Sequence, residues 1–213
     1  MKHFCVIDTE TSTNGNVQEV SLMFTRQYKD EIQLLGSQSF IIAEYAMEPR
    51  FSQSLSALPE LLGLVTKENY KLVSISEVNN VLKNAVKKGY ALGSYNWAFD
   101  NSALVKSGVI IPECPTFCLM NIANGVFSNL KEYRMFCIQN GLITQSKNAI
   151  SMKLETIGKF LGIEMKQTHT ARSDLVDFTL PVFQDIVKRF PRSWKNKKRE
   201  YDNCKLENIV GGK

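Results

Sequence analysis

Two carboxylates, Asp8 and Glu10, stand one residue apart at the end of the apolar run Phe4-Cys5-Val6-Ile7. Side chains alternate along a strand, so both acids point to one face and lie close together. Like charges this close repel, and they are costly to remove from water unless a cation sits between them. Carboxylate oxygens suit hard divalent ions such as Mg2+ or Mn2+. A D-x-E pair alone also fits a solvated acidic strand end, so metal chemistry here needs ligands from elsewhere in the chain. Asp100 is one candidate, in Tyr95-Asn96-Trp97-Ala98-Phe99-Asp100 at the start of an expected helix. Negative charge is favoured at such a helix end even without chemistry. Asp174 is another, five residues after His169 in His169-Thr170-Ala171-Arg172-Ser173-Asp174. Histidine, with an ordinary pKa of about 6.5, suits proton transfer at neutral pH.

Several elements must deliver these groups. Cys5 to Ile7 reads as a buried central strand, Val17 to Phe24 as a partly alternating second strand, and Ser39 to Ile42 as a third. Short turns between them predict an antiparallel start to the sheet. Residues 43 to 73 are less regular, with a short helical pattern around Leu58 to Leu64. Ser74-Ile75-Ser76-Glu77 has the form of a capping box, opening a helix through Val78, Leu82, Ala85 and Val86 that stops at Gly89. Tyr90 to Tyr95 reads as a strand, Phe99 to Ser107 as a helix, and Thr116 to Met120 as a short strand. Helical patterns follow at Leu130 to Asn140, at Lys153 to Leu161, and from Ala171 to Arg189, where Pro181 removes a backbone hydrogen bond and predicts a bend. Strands first, then alternating helices and strands, describe an α/β domain: a mixed five-stranded sheet flanked by helices, its first three strands antiparallel.

The totals agree with one domain. The chain has 213 residues, 44% apolar and 22% charged, which is ordinary globular composition. No apolar run reaches the roughly 20 residues that span a bilayer, and Met1 to Ile7 is too short for a signal peptide. A cytoplasmic protein is expected. The 5 cysteines are an odd count without a disulfide framework, and Cys114-x-x-x-Cys118 lacks the second half of a zinc site. A net charge of +5 permits a polyanionic partner. Residues 1–189 are expected to form the domain and 190–213 a basic tail, in which Phe190 and Trp194 lie among lysines and arginines. Such a tail suits single-stranded nucleic acid, or it is a solvated helix end.

Taken together and in this order, the motifs resemble those of the DEDDh 3′-to-5′ exonucleases. That ribonuclease H-like family includes the epsilon subunit of bacterial DNA polymerase III and RNase T. Asp8-Thr9-Glu10 is similar to the first motif, Asn96 to Asp100 to the second, and His169, Ala171 and Asp174 to the H-x-A-x-x-D form of the third. Leu154-Glu155-Thr156-Ile157 is similar to the helix preceding the third motif, and the resemblance spans roughly residues 3 to 187. Tyr95 departs from the histidine many members carry, Thr13 from a frequent glycine, and the basic tail has no counterpart.

The resemblance implies a two-metal phosphodiester hydrolase using Mg2+ or Mn2+ ions about 4 Å apart. Asp8 would bridge the ions, Glu10 and Asp174 would complete the nucleophile-side ion, and Asp100 would serve the leaving-group ion. His169 would take the proton from the attacking water. Thr9, Thr11, Asn96, Trp97 and Phe99 would line the terminal nucleotide. The leading expectation is a free-standing exonuclease on single-stranded DNA or RNA 3′ ends, with DNA ahead of RNA. A proofreading or accessory subunit with a polymerase or replication partner comes second, and a catalytically silent nucleic-acid-binding module third. Monomer and homodimer both remain open at this point.

Overall fold

The computed structural model describes residues 2–50, 58–67, 69–144, 148–164 and 170–189. Three long strands come first: β1 (Lys2–Thr11), β2 (Val17–Tyr28) and β3 (Glu31–Ile42). After α1 (Leu58–Lys67) come β4 (Lys71–Val73), α2 (Ile75–Lys87), β5 (Tyr90–Ser94), α3 (Trp97–Lys106) and β6 (Thr116–Cys118). Next are α4 (Leu119–Phe127), α5 (Lys131–Gln139), the hairpin β7 (Ile143–Thr144) and β8 (Ala149–Ile150), and α6 (Leu154–Phe160).

The main sheet runs β4-β3-β2-β1-β5-β6. Strand β2 is antiparallel to both β1 and β3, while β5 lies parallel to β1, β6 to β5, and β4 to β3. The antiparallel start is therefore as the turns predict. The sheet has six strands rather than the expected five, because β4 joins its edge beside Phe40 to Ile42. At three residues, two of them exposed, β4 carries no alternation that marks it in the sequence. β3 also begins at Glu31 rather than Ser39, since its first half is largely solvated and lacks an apolar pattern. The segment Leu119–Met120, expected to continue a strand, instead opens α4.

Alternation along β1 divides the core in two. Phe4 and Val6 join Met23, Phe117, Tyr133 and Phe183 on one face, beneath α4 to α6 and the last helical stretch. Cys5 and Ile7 join Val20, Leu22, Val78, Leu82 and Leu104 on the other, beneath α2 and α3. β1 is thus buried on both sides from Phe4 to Ile7, and its C-terminal end carries its two acids out of the core. The capping box forms as expected: the Glu77 carboxylate accepts from the Ser74 backbone N–H at 2.9 Å. Gly89, with φ +83°, ends the chain's run through α2.

The last helical stretch has three parts: α7 (Ala171–Ser173), a π-helical segment (Asp174–Thr179) and α8 (Leu180–Arg189). Pro181 cannot donate to the carbonyl four residues back, and its ring crowds that carbonyl. Widening the preceding turns to π geometry accommodates it, where the sequence alone suggests a bend.

Close approach of β5 and β6 depends on Gly93, which pairs with Val6 on one side and Phe117 on the other. A Cβ at this position would collide with the Phe117 carbonyl oxygen and stand 2.6 Å from its ring carbons. Phe117 is itself held edge-on to Phe4 at 5.4 Å. Gly93→Ala is therefore expected to lower stability by about 1–3 kcal/mol through overpacking, read as a lower urea midpoint at unchanged slope.

Candidate functional site

Strand β1 carries Asp8 and Glu10 past the end of the buried core, on the Phe4–Val6 face of the sheet. The opening turn of the last helical stretch brings Asp174 to the same place. Oxygens of Asp8, Glu10 and Asp174 lie within 4.8 Å of one another, and all three side chains are partly exposed. Oxygen donors of this kind, on a surface that water and ions can reach, fit a hard divalent cation. An N-cap fixes the turn that presents Asp174: the Thr170 hydroxyl oxygen accepts from the Ser173 N–H at 3.3 Å.

Asp100 comes from the opposite side. It sits in the first turns of α3 and is buried, with 4% of its surface exposed. Thr9 points away from its neighbours in β1, toward α3, and its buried hydroxyl donates to Asp100 Oδ1 at 2.7 Å. Thr9, expected beside the terminal nucleotide, thus has its hydroxyl committed to an acid. Asn96 caps α3, and the Asp100 N–H donates to its carbonyl at 3.2 Å. Trp97 packs partly on the core beneath α2 and α3, whereas Phe99 is 53% exposed. Tyr95 is buried, and its hydroxyl donates to the Met152 carbonyl at 2.6 Å, tying β5 to the approach to α6. His169, within 165–169, and the tail 190–213 lie outside the described residues.

The crowding of carboxylates sets their protonation. Burial first, then the charges of Asp100, Glu10, Asp174 and Glu19, push the Asp8 carboxyl well above the usual range. Burial raises Glu10 to about 7; Arg50 opposes this, and Glu19 and Asp174 add to it. Burial also raises Asp100, with the Thr9 hydrogen bond opposing. With its carboxylates ionised this centre carries more negative charge than its surroundings offset, so it favours bound protons or, in their place, divalent ions.

Two residues that sequence reasoning missed adjoin the centre. Glu19 faces Glu10 directly across the β1–β2 pair, and like charges in that position destabilise a sheet. Arg50, buried, forms an ion pair with Glu19 and places its other terminal nitrogen 3.6 Å from Glu10 Oε2. The second Glu19 oxygen accepts from the Ala171 N–H at 3.3 Å, and Tyr70, beside Glu19, accepts from the Arg172 N–H at 3.0 Å. Arg50 is steered there by the chain before it. Glu48 accepts from the Ser12 hydroxyl at 2.5 Å and the Asn16 side-chain amide at 2.8 Å, and the Thr13 N–H donates to the Pro49 carbonyl at 2.9 Å. One signal was available for Glu19: a carboxylate inside the apolar run Val17 to Phe24 needs a partner. No such signal marks Arg50, whose neighbourhood is irregular in sequence.

Comparison with solved structures gives the class of fold. The zinc ion-bound form of E. coli ExoI in complex with single-stranded DNA aligns with a TM-score of 0.57 and 14% sequence identity, over 91% of this chain. The chain spans 42% of the length of that ExoI chain. The chain therefore shares the fold of that structure, a mixed sheet flanked by helices. No family model matches the chain, and no curated protein matches it. Among the described residues, no helix is long and apolar enough to cross a membrane.

Proposed function

We propose that this protein is a divalent-metal-dependent 3′-to-5′ exonuclease that releases nucleoside monophosphates from single-stranded nucleic acid, DNA ahead of RNA. The observation that carries this reading is the convergence of Asp8, Glu10 and Asp174 oxygens at the end of the central strand of a ribonuclease H-like sheet. The single-stranded DNA of the ExoI complex supports the choice of polymer.

Asp8, Glu10 and Asp174 would hold the ions, with Asp100 completing the charge of the centre. Two Mg2+ or Mn2+ ions held there would supply Lewis-acid stabilisation of the phosphate and a hydrolytic nucleophile at neutral pH. Thr9 orients Asp100 through its hydroxyl. His169 would receive the proton of the attacking water, a role an imidazole suits. Thr11 and Asn96 flank the carboxylates along the chain and would contact the terminal sugar. The exposed Phe99 ring would stack on the last base, with Trp97 behind it.

The deciding experiment is degradation of 5′-labelled single- and double-stranded DNA and RNA with Mg2+, Mn2+ or EDTA. A ladder shortening from the 3′ end of single-stranded DNA is expected, abolished by EDTA. His169→Ala should lose about 100-fold or more in turnover at pH 7 while still retaining bound DNA. Undiminished turnover in that variant would remove His169 as the base, and label released in EDTA would remove the metal reading.

A further inference from the structure

We propose that Glu19 is a positioning residue that binds the Arg50 guanidinium more closely than Glu10 does and so leaves the Glu10 carboxylate open to a metal ion. The inference rests on the metal reading given above. Glu10 and Glu19 are direct partners across β1 and β2, so one buried cation can serve either. The arrangement is unequal. Arg50 contacts Glu19 in a direct charge-assisted hydrogen bond, whereas its other terminal nitrogen makes only a longer ion pair with Glu10, at 3.6 Å.

Glu19 is fixed in its role from behind. It is fully buried, and its second oxygen accepts from the Ala171 N–H at the start of the turn that presents Asp174. A buried guanidinium that loses its carboxylate turns to the next one available. Without the Glu19 carboxylate, that is Glu10, and a two-pronged Arg–carboxylate pair would occupy the oxygens a cation needs. With Glu19 in place, its contact with Arg50 leaves Asp8, Glu10, Asp100 and Asp174 for divalent ions.

The test is Mn2+ affinity of the full chain by calorimetry, with circular dichroism to verify folding. Glu19→Gln keeps an oxygen for Ala171 but releases Arg50, and it should weaken Mn2+ binding by about tenfold or more, as outer-sphere partners of metal ligands do. Adding Arg50→Gln removes the competitor, so the double variant should bind within about threefold of wild type or tighter. A purely structural Glu19 predicts the reverse pattern: lost stability in both variants, with no recovery of affinity in the second. Wild-type affinity in Glu19→Gln, or a double variant weaker than wild type by more than that margin, would overturn the proposal. If Glu19→Gln does not fold, the double variant decides by the same margin. A wild-type chain that binds no Mn2+ would instead overturn the metal reading itself, which separates the two failures.

Discussion

Asp8→Asn is expected to cut nucleotide release by at least about a thousandfold, a barrier increase of about 4 kcal/mol. The substitution is nearly isosteric, so the loss comes from charge rather than shape. Asp8 stands at the centre of the acidic group: Asp100, Glu10, Asp174 and Glu19 all act on its carboxyl. An amide there removes one negative charge from the place where every other acid converges. The same change should make the metal-free protein more stable at pH 8, because it relieves both burial of a carboxylate and repulsion. Activity on labelled single-stranded DNA and urea denaturation in EDTA check the two halves. A variant that lost activity and stability together would indicate a folding role for Asp8 instead.

The second large effect is on stability against pH. Glu10 is raised from 4.5 to about 7 in the folded protein, and Asp8, Asp100 and Glu19 are raised as well. A carboxyl whose folded value is raised binds its proton more tightly when folded than when unfolded. Its favourable contribution is complete below the unfolded value and is lost as pH climbs through the folded one. Metal-free protein should therefore lose stability between pH 4.5 and about 7, by about 3 kcal/mol at most from Glu10 alone. Divalent ions favour the charged forms, so added Mg2+ should stabilise strongly at pH 8 and little at pH 5. Denaturation curves at those two values, with Mg2+ and with EDTA, measure this directly. A metal-free protein as stable at pH 8 as at pH 5 would contradict the raised carboxyls.

Where periodicity was strong, local sequence and structure agree. The run Phe4 to Ile7 is the central strand, Ser74 to Gly89 is a capped helix, and the first three strands are antiparallel. Alternation alone also puts Asp8 and Glu10 on one face, because a strand has no other way to project them. Disagreements fall where the local signal is weak or ambiguous. Strand β4 is three residues long and exists through its pairing with β3, and α4 begins at residues apolar enough for a strand. The π-helical segment before Pro181 depends on packing that keeps the helical stretch continuous, and packing is invisible in a list of residues.

By itself, then, the sequence determined which acids could act as ligands and which strand would present the first two, because side-chain chemistry and backbone alternation are local properties. Only the tertiary structure decided that Asp174 closes on that pair and that Thr9 turns away to hold Asp100. It also decided that Arg50 enters between Glu10 and Glu19. Those are contacts between segments as much as 166 residues apart, such as Asp8 and Asp174. They follow from the register of β1 against β2 and from the burial of charge, which no single stretch of chain contains.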